Sequence, residues 1–175
     1  MPSAEIVNIF ARVLQAEKEG LAFFERAGLI ANDPRVKDVF ERLAKTKREH
    51  LGALEEGFRN LDVRPPLTGA KGPPLYPLSE VEKAECYVCG YAAETDVVPD
   101  YCPRCGASRY AFQKEFSLRT AWEIAEAGIR GSIDILVEAD RVADARLKQL
   151  IQRQIALEQG LLEEARRELR SSGTS

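Results

Sequence analysis

The chain has 175 residues, of which 45% are hydrophobic and 30% charged, and its formal net charge is -3. This composition is typical of a folded domain with a core and excludes a disordered chain. The nearly balanced charge gives no basic surface for nucleic acid, and the apolar runs are too short to cross a membrane, so we expect neither as a partner. The first residues lack a basic region followed by an apolar stretch, so we expect no signal peptide and a cytoplasmic location.

Two amphipathic helices are predicted in the N-terminal third of the chain. Apolar residues recur at helical spacing over residues 4–31 and 35–60. Between them, Asp33 suits the N-cap of the second helix and Pro34 suits its first position. Because the joint is short, these helices should form a hairpin, and we assign residues 1–61 to it.

The rest of the chain alternates between irregular and helical segments. Five prolines and two glycines predict a semi-extended linker over residues 62–83. A segment that contains all four cysteines follows at 84–115, where short extended stretches are expected. Helical periodicity returns over residues 118–139 and 141–170, and we assign residues 116–175 to a second hairpin.

A weak internal repeat relates the two hairpins at an offset of 108 residues. It places Gly20 on Gly128 and Leu54 on Leu162. A duplicated hairpin explains the repeat, and so does the general similarity of amphipathic helices. Either explanation predicts a four-helix bundle whose one long connection lies between the second and third helices.

The cysteines form two pairs with metal-ligand spacing. Two residues separate the cysteines of each pair, so one tight turn can present both sulfurs to a single ion. Gly90 and Gly106 follow the two pairs, where the chain must turn with positive φ. Clustered cysteines in a reducing compartment favour metal over disulfides. We therefore expect one metal ion bound by Cys86, Cys89, Cys102 and Cys105.

The identity of that metal is less strongly specified, because four thiolates in a tetrahedron suit both iron and zinc. An aromatic shell that excludes water would protect a redox iron. Five aromatic residues lie close to the cysteines in sequence, and they favour iron, with zinc as the alternative: Tyr87, Tyr91, Tyr101, Tyr110 and Phe112.

These motifs resemble a known family. The run Cys86-Tyr87-Val88-Cys89-Gly90-Tyr91, followed by Cys102-Pro103-Arg104-Cys105-Gly106, is similar to the short rubredoxin domain of rubrerythrins. The segments Glu17-Lys18-Glu19-Gly20 and Arg48-Glu49-His50-Leu51 resemble the first hairpin of the ferritin-like bundle in that family. The resemblance implies a mainly α fold, a ferritin-like four-helix bundle with a small rubredoxin-like metal-binding β module. Here the module is inserted in the crossover between helices two and three, whereas in the best-known rubrerythrins it follows the bundle.

The same resemblance implies a di-iron centre between the helices, to which each half of the bundle supplies a Glu and a Glu-x-x-His pair. Glu17 and His50 match two of these ligands, but Lys47 stands where a Glu is expected. Glu158 and Glu126 are the remaining candidates. We expect either one metal held by these four residues or, favoured by the charge of Lys47, a metal-free core in which Lys47 pairs with Glu17 or Glu158. An intact di-iron centre is not expected.

Three functions follow as hypotheses. The first is one-electron transfer through a rubredoxin-type iron centre in a homodimer, in peroxide or oxidative-stress response, with an unidentified redox partner. The second is a zinc-ribbon bundle that acts as a non-redox scaffold or interaction module. The third is an iron-handling oxidoreductase with an altered bundle site, of the peroxidase type if that site binds metal.

Overall fold

The computed structural model describes residues 4–65 and 72–173. The middle of the predicted linker, residues 66–71, lies outside the described residues. In the described part, none of the helices combines the length and apolar character needed to cross a membrane.

Four long helices form the bundle. Helix α1 packs on α2, α3 packs on α4, and α1 also packs on α3. The fold prediction is confirmed: the chain is mainly helical, and a small two-stranded module lies between the second and third helices. The helices are α1, Ala4–Ile30; α2, Pro34–Asn60; α3, Leu118–Val142; and α4, Ala145–Ser172.

Side-chain caps set the starts of the second and fourth helices. The Asp33 carboxylate accepts a hydrogen bond from the backbone N–H of Arg35, and Pro34 occupies the first turn, as predicted. Helix α4 begins at Ala145, four residues later than the predicted start. Its N-cap is Asp144, whose carboxylate accepts hydrogen bonds from the backbone N–H groups of Arg146 and Leu147.

The module contains two short antiparallel strands, β1, Lys83–Glu85, and β2, Ala92–Glu94. It is joined to the end of the bundle by backbone hydrogen bonds. The N–H of Lys114 donates to the carbonyl of Ile30, and the N–H of Asn32 donates to the carbonyl of Lys114. The cysteine module therefore docks on the bundle of its own chain.

The core has two apolar clusters. One surrounds Phe10 and Leu54, at the end of the bundle away from the module. The other surrounds Phe23 and Phe40 and continues into the module, where it includes Cys86. Between the two clusters lies a layer of buried polar side chains contributed by all four helices: Glu17, Lys47, His50, Ser132, Gln154 and Glu158.

Candidate metal centre

The two cysteine pairs lie on backbone turns of the same design. The N–H of Gly90 donates to the carbonyl of Cys86, and the N–H of Gly106 donates to the carbonyl of Cys102. Gly90 and Gly106 have φ of 75° and 76°, the left-handed region in which a Cβ is unfavourable. Each glycine therefore lets the chain turn directly after its metal-binding pair.

These turns bring the four sulfurs together. Their Sγ atoms all lie within 4.8 Å of one another. The Sγ atoms of Cys86 and Cys105 are 3.8 Å apart, and those of Cys89 and Cys102 are 3.5 Å apart. A tetrahedral ion with metal–sulfur bonds of about 2.3 Å places its sulfurs about 3.8 Å apart. All four cysteines are free, and a disulfide needs about 2.05 Å, so the arrangement fits a metal and not a disulfide.

Backbone N–H groups point at the sulfurs and favour their charged form. The N–H of Tyr91 donates to the Cys89 sulfur, and the N–H of Ala107 donates to the Cys105 sulfur. Both hydrogen bonds lower the pKa of their thiol, but burial and the neighbouring cysteines outweigh them, so the pKa of Cys105 is raised and that of Cys89 is raised to about 12. Burial alone would raise the pKa of Cys102, but the N–H groups of Cys105 and Arg104 help to lower it to about 7. Such hydrogen bonds spread thiolate charge into the backbone and tune a bound metal.

The aromatic residues around the centre do not form the predicted shell. Phe112 is buried, and Tyr91 packs edge-on against it with ring centroids 6.4 Å apart. Tyr87, Tyr101 and Tyr110 instead point to solvent, with 79%, 71% and 69% of their surface exposed. Because the module is small, its core has room for few rings. The aromatic content of the segment is therefore no argument for iron over zinc.

A second cluster of ligand-type side chains lies in the polar layer of the bundle. Glu17, His50 and Glu158 offer ligand atoms within 4.8 Å of one another, and all three are buried. The Lys47 ammonium lies in the same cluster, 3.1 Å from a Glu17 oxygen and 2.6 Å from a Glu158 oxygen. The other Glu158 oxygen lies 2.5 Å from Nδ1 of His50. Lys47 thus pairs with both carboxylates, where the sequence predicted one or the other.

The charges of this cluster depend on its burial. Burial raises the pKa of Glu17 to about 7, although the nearby Lys47 opposes that rise. Burial alone would also raise the pKa of Glu158, but the charge of Lys47 and the hydrogen bond from His50 lower it. Burial alone would lower the pKa of Lys47, but the negative charges of Tyr76 in its ionised form and of the Glu158 and Glu17 carboxylates raise it. The ammonium and the Glu158 carboxylate are therefore charged at neutral pH.

Tyr76 was not among the sequence-predicted site residues. It belongs to the linker, yet it is 2% exposed and stacks on Phe23 with ring centroids 5.8 Å apart. Its ring fits between α1 and α3 because Gly20 and Gly128 have no side chains there. The internal repeat at an offset of 108 residues pairs these two glycines, and this pairing was the one sign in the sequence that a side chain could fit between α1 and α3.

Comparison with known proteins identifies the module. The family model of the rubrerythrin rubredoxin-like domain matches residues 85–113. The module is therefore similar to the rubredoxin-like domain of rubrerythrins, and the match covers the module alone. A search of curated proteins found no match, and neither did a search of solved structures.

This family-model match confirms the predicted resemblance for the module, and the four long helices agree with the bundle that the resemblance implies, with the module inserted between α2 and α3. Its four cysteines support a metal cofactor, iron or zinc. Iron or zinc would be held by Cys86, Cys89, Cys102 and Cys105, whose sulfur spacings fit either ion.

The bundle does not fit the two irons that the resemblance implies. Within the described residues, the cluster offers three ligand side chains, one of them the only histidine of the chain. Glu126, a predicted candidate, is not brought into it. Its carboxylate pairs with Arg166 at 3.2 Å and Arg130 at 3.7 Å, while Ala125 occupies the buried position beside it. One step along a helix turns a side chain by about 100°, which takes Glu126 out of the interior.

Proposed function

We propose that this protein is a one-electron carrier in which the rubredoxin-like domain holds a single iron. The observation that carries the proposal is the convergence of four sulfurs within 4.8 Å in a domain that matches the rubrerythrin rubredoxin-like model. Iron bound by four thiolates supplies ferrous–ferric exchange without a change of ligands. No peroxide reduction at the bundle is included, because the described residues bring only three ligand side chains together there, too few for two irons.

The residues of the domain provide three things to such a centre. The two glycine turns fix the sulfur positions before metal enters, which limits rearrangement between oxidation states. Backbone N–H groups stabilise thiolate charge. Cys86 and Cys102 are buried while Cys105 is exposed, so one side of the centre faces solvent and could be reached by a partner.

The test is metal analysis of protein purified without oxygen, together with its absorption spectrum. We expect about one iron per chain and the visible thiolate-to-iron bands of an oxidised four-cysteine site, bleached by dithionite. Cys86→Ser and Cys102→Ser should each lose the metal and the bands. Protein that arrives colourless with one zinc, and gains no reversible redox step when reconstituted with iron, would overturn the proposal.

A zinc-stabilised scaffold is the second candidate. One observation favours it: the apolar core of the domain is continuous with that of the bundle. A metal that stabilises the folded module therefore also stabilises the packing of the helices. With either function, we also propose that the protein is a homodimer, as the family resemblance implies. Light scattering over a range of concentrations tests this.

A further inference from the structure

The positive charge at the centre of the bundle is the ammonium group of a buried lysine, Lys47. Lys47 and His50 are three residues apart on α2, so both side chains face the interior. Lys47 is 0% exposed. Its Nζ donates to Glu17 on α1 and to Glu158 on α4, and so links three helices at one point.

The same atoms are those that a metal ion would need. Glu158 uses one oxygen for Lys47 and the other for His50, so both of its oxygens are engaged. Nδ1 of His50 lies against a carboxylate oxygen, so this nitrogen donates a proton and the lone pair of the neutral ring is on Nε2. Of the four carboxylate oxygens of Glu17 and Glu158, Oε1 of Glu17 is the one buried atom without a hydrogen-bond partner among the described residues.

We propose that Lys47 is the resident cation of the bundle and that it closes a latent one-metal site formed by Glu17, His50 and Glu158. Two carboxylates and one imidazole form a donor set suited to Mn(II) or Fe(II). An ammonium hydrogen-bonded to both carboxylates excludes a dication by like-charge repulsion and by occupying the ligand oxygens. The ligands are preassembled, and one side chain decides whether they bind metal.

The test replaces Lys47 with a neutral side chain of similar length, Lys47→Met, in the full chain with the cysteine site already filled. Mn(II) is the probe, because it prefers carboxylate and imidazole to thiolate. We expect no Mn(II) retained by the native chain and about one per chain in Lys47→Met, measured by equilibrium dialysis and electron paramagnetic resonance. Adding His50→Ala to Lys47→Met should abolish the gain.

The matched control is Lys45→Met, which removes the same charge from the exposed face of the same helix. It should behave as the native chain does. A folded Lys47→Met protein that binds no Mn(II), or a Lys45→Met protein that binds as much, would overturn the proposal.

A measurement on the native chain decides the matter if Lys47→Met does not fold. Nitrogen-15 NMR of lysine ammonium groups should show one slowly exchanging signal, that of Lys47, since burial and hydrogen bonding protect its protons. Paramagnetic Mn(II) should leave this signal sharp. Selective broadening of the Lys47 and His50 signals by Mn(II) would show that the native site accepts metal, and the proposal would fail.

Discussion

The ammonium of Lys47 lies 2.6 Å from a carboxylate oxygen of Glu158, and neither side chain has any exposed surface. A buried pair of this kind contributes less by its attraction than it costs when one partner is removed, because the remaining charge has no solvent. Here the pair also joins α2 to α4, in a layer that separates the two apolar clusters of the core.

Lys47→Ala should destabilise the fold by about 3–5 kcal/mol, since it leaves the Glu158 carboxylate buried without its cation. Urea unfolding followed by circular dichroism measures this. Lys47→Met combined with Glu158→Leu, which removes both charges and keeps the volume, should recover much of the loss. If the double variant were no more stable than Lys47→Met alone, the pair would not be the source of the cost.

Stability should also depend on pH through Glu17. Its folded pKa of about 7 lies above its ordinary value of 4.5, so the folded state holds the proton more tightly between these values. The stabilisation from this group is therefore complete below pH 4.5 and is lost as the pH rises through 7. Glu158 has a lowered pKa and acts in the opposite sense, losing its stabilisation as the pH falls below 4.5.

Glu17→Gln isolates the first effect, because glutamine resembles the protonated acid and does not titrate. Relative to Glu17→Gln, the native protein should lose about 2–3 kcal/mol of unfolding free energy between pH 5 and pH 8. Denaturant unfolding of both proteins across this range measures the difference, in which titrating groups that do not contact Glu17 cancel. A difference that stays constant with pH would contradict a raised pKa for Glu17.

Much of the buried polar layer between the two apolar clusters could be predicted from the sequence. Other features could not, and particular residues show why. Glu17, Lys47 and His50 lie at positions that helical periodicity places in the interior, so their burial follows from the pattern. Periodicity does not resolve neighbours, which is why Glu126 was a candidate although Ala125 faces inward. Tyr76 lies in a proline-rich segment that has no period, and its burial depends on a groove that exists only after α1 and α3 have packed. Exposure of Tyr87 and Tyr101 likewise depends on the small volume of the module, which composition does not reveal.

The fit of Tyr76 between two helices predicts a steric cost at Gly128. A Cβ at this position would lie 2.3 Å from two ring atoms of Tyr76, so Gly128→Ala must displace the ring. We expect a loss of about 1–3 kcal/mol, the usual cost of overpacking. Gly160→Ala is the control, because none of the residues that the structure describes lies within 4 Å of its added Cβ, and it should be neutral or stabilising by up to about 1 kcal/mol. Tyr76→Leu should relieve the cost of Gly128→Ala, and unfolding of the four proteins completes the cycle.

The last prediction concerns the connection between the metal centre and the helices. Cys86, Cys102 and Phe112 of the module share one apolar cluster with Phe23 and Phe40 of the bundle. The ring of Phe116 packs edge-on against Phe40 with centroids 5.2 Å apart, directly before α3 begins. A metal that binds only the folded module therefore stabilises the bundle as well, since the two cannot separate without exposing this cluster.

Removal of the metal should lower the melting midpoint of the helical signal instead of producing a separate transition. A loss of about 2–3 kcal/mol corresponds to about 4–12 °C for a chain of this size. Circular dichroism at 222 nm, on metal-loaded protein and on protein stripped under reducing conditions, measures the shift. Phe116→Ala serves as the uncoupling variant: it leaves the four cysteines in place but weakens the shared cluster, so stripping the metal should shift its helical midpoint less. If stripped and loaded native protein melted at the same temperature, the module would be an independent unit attached to the bundle.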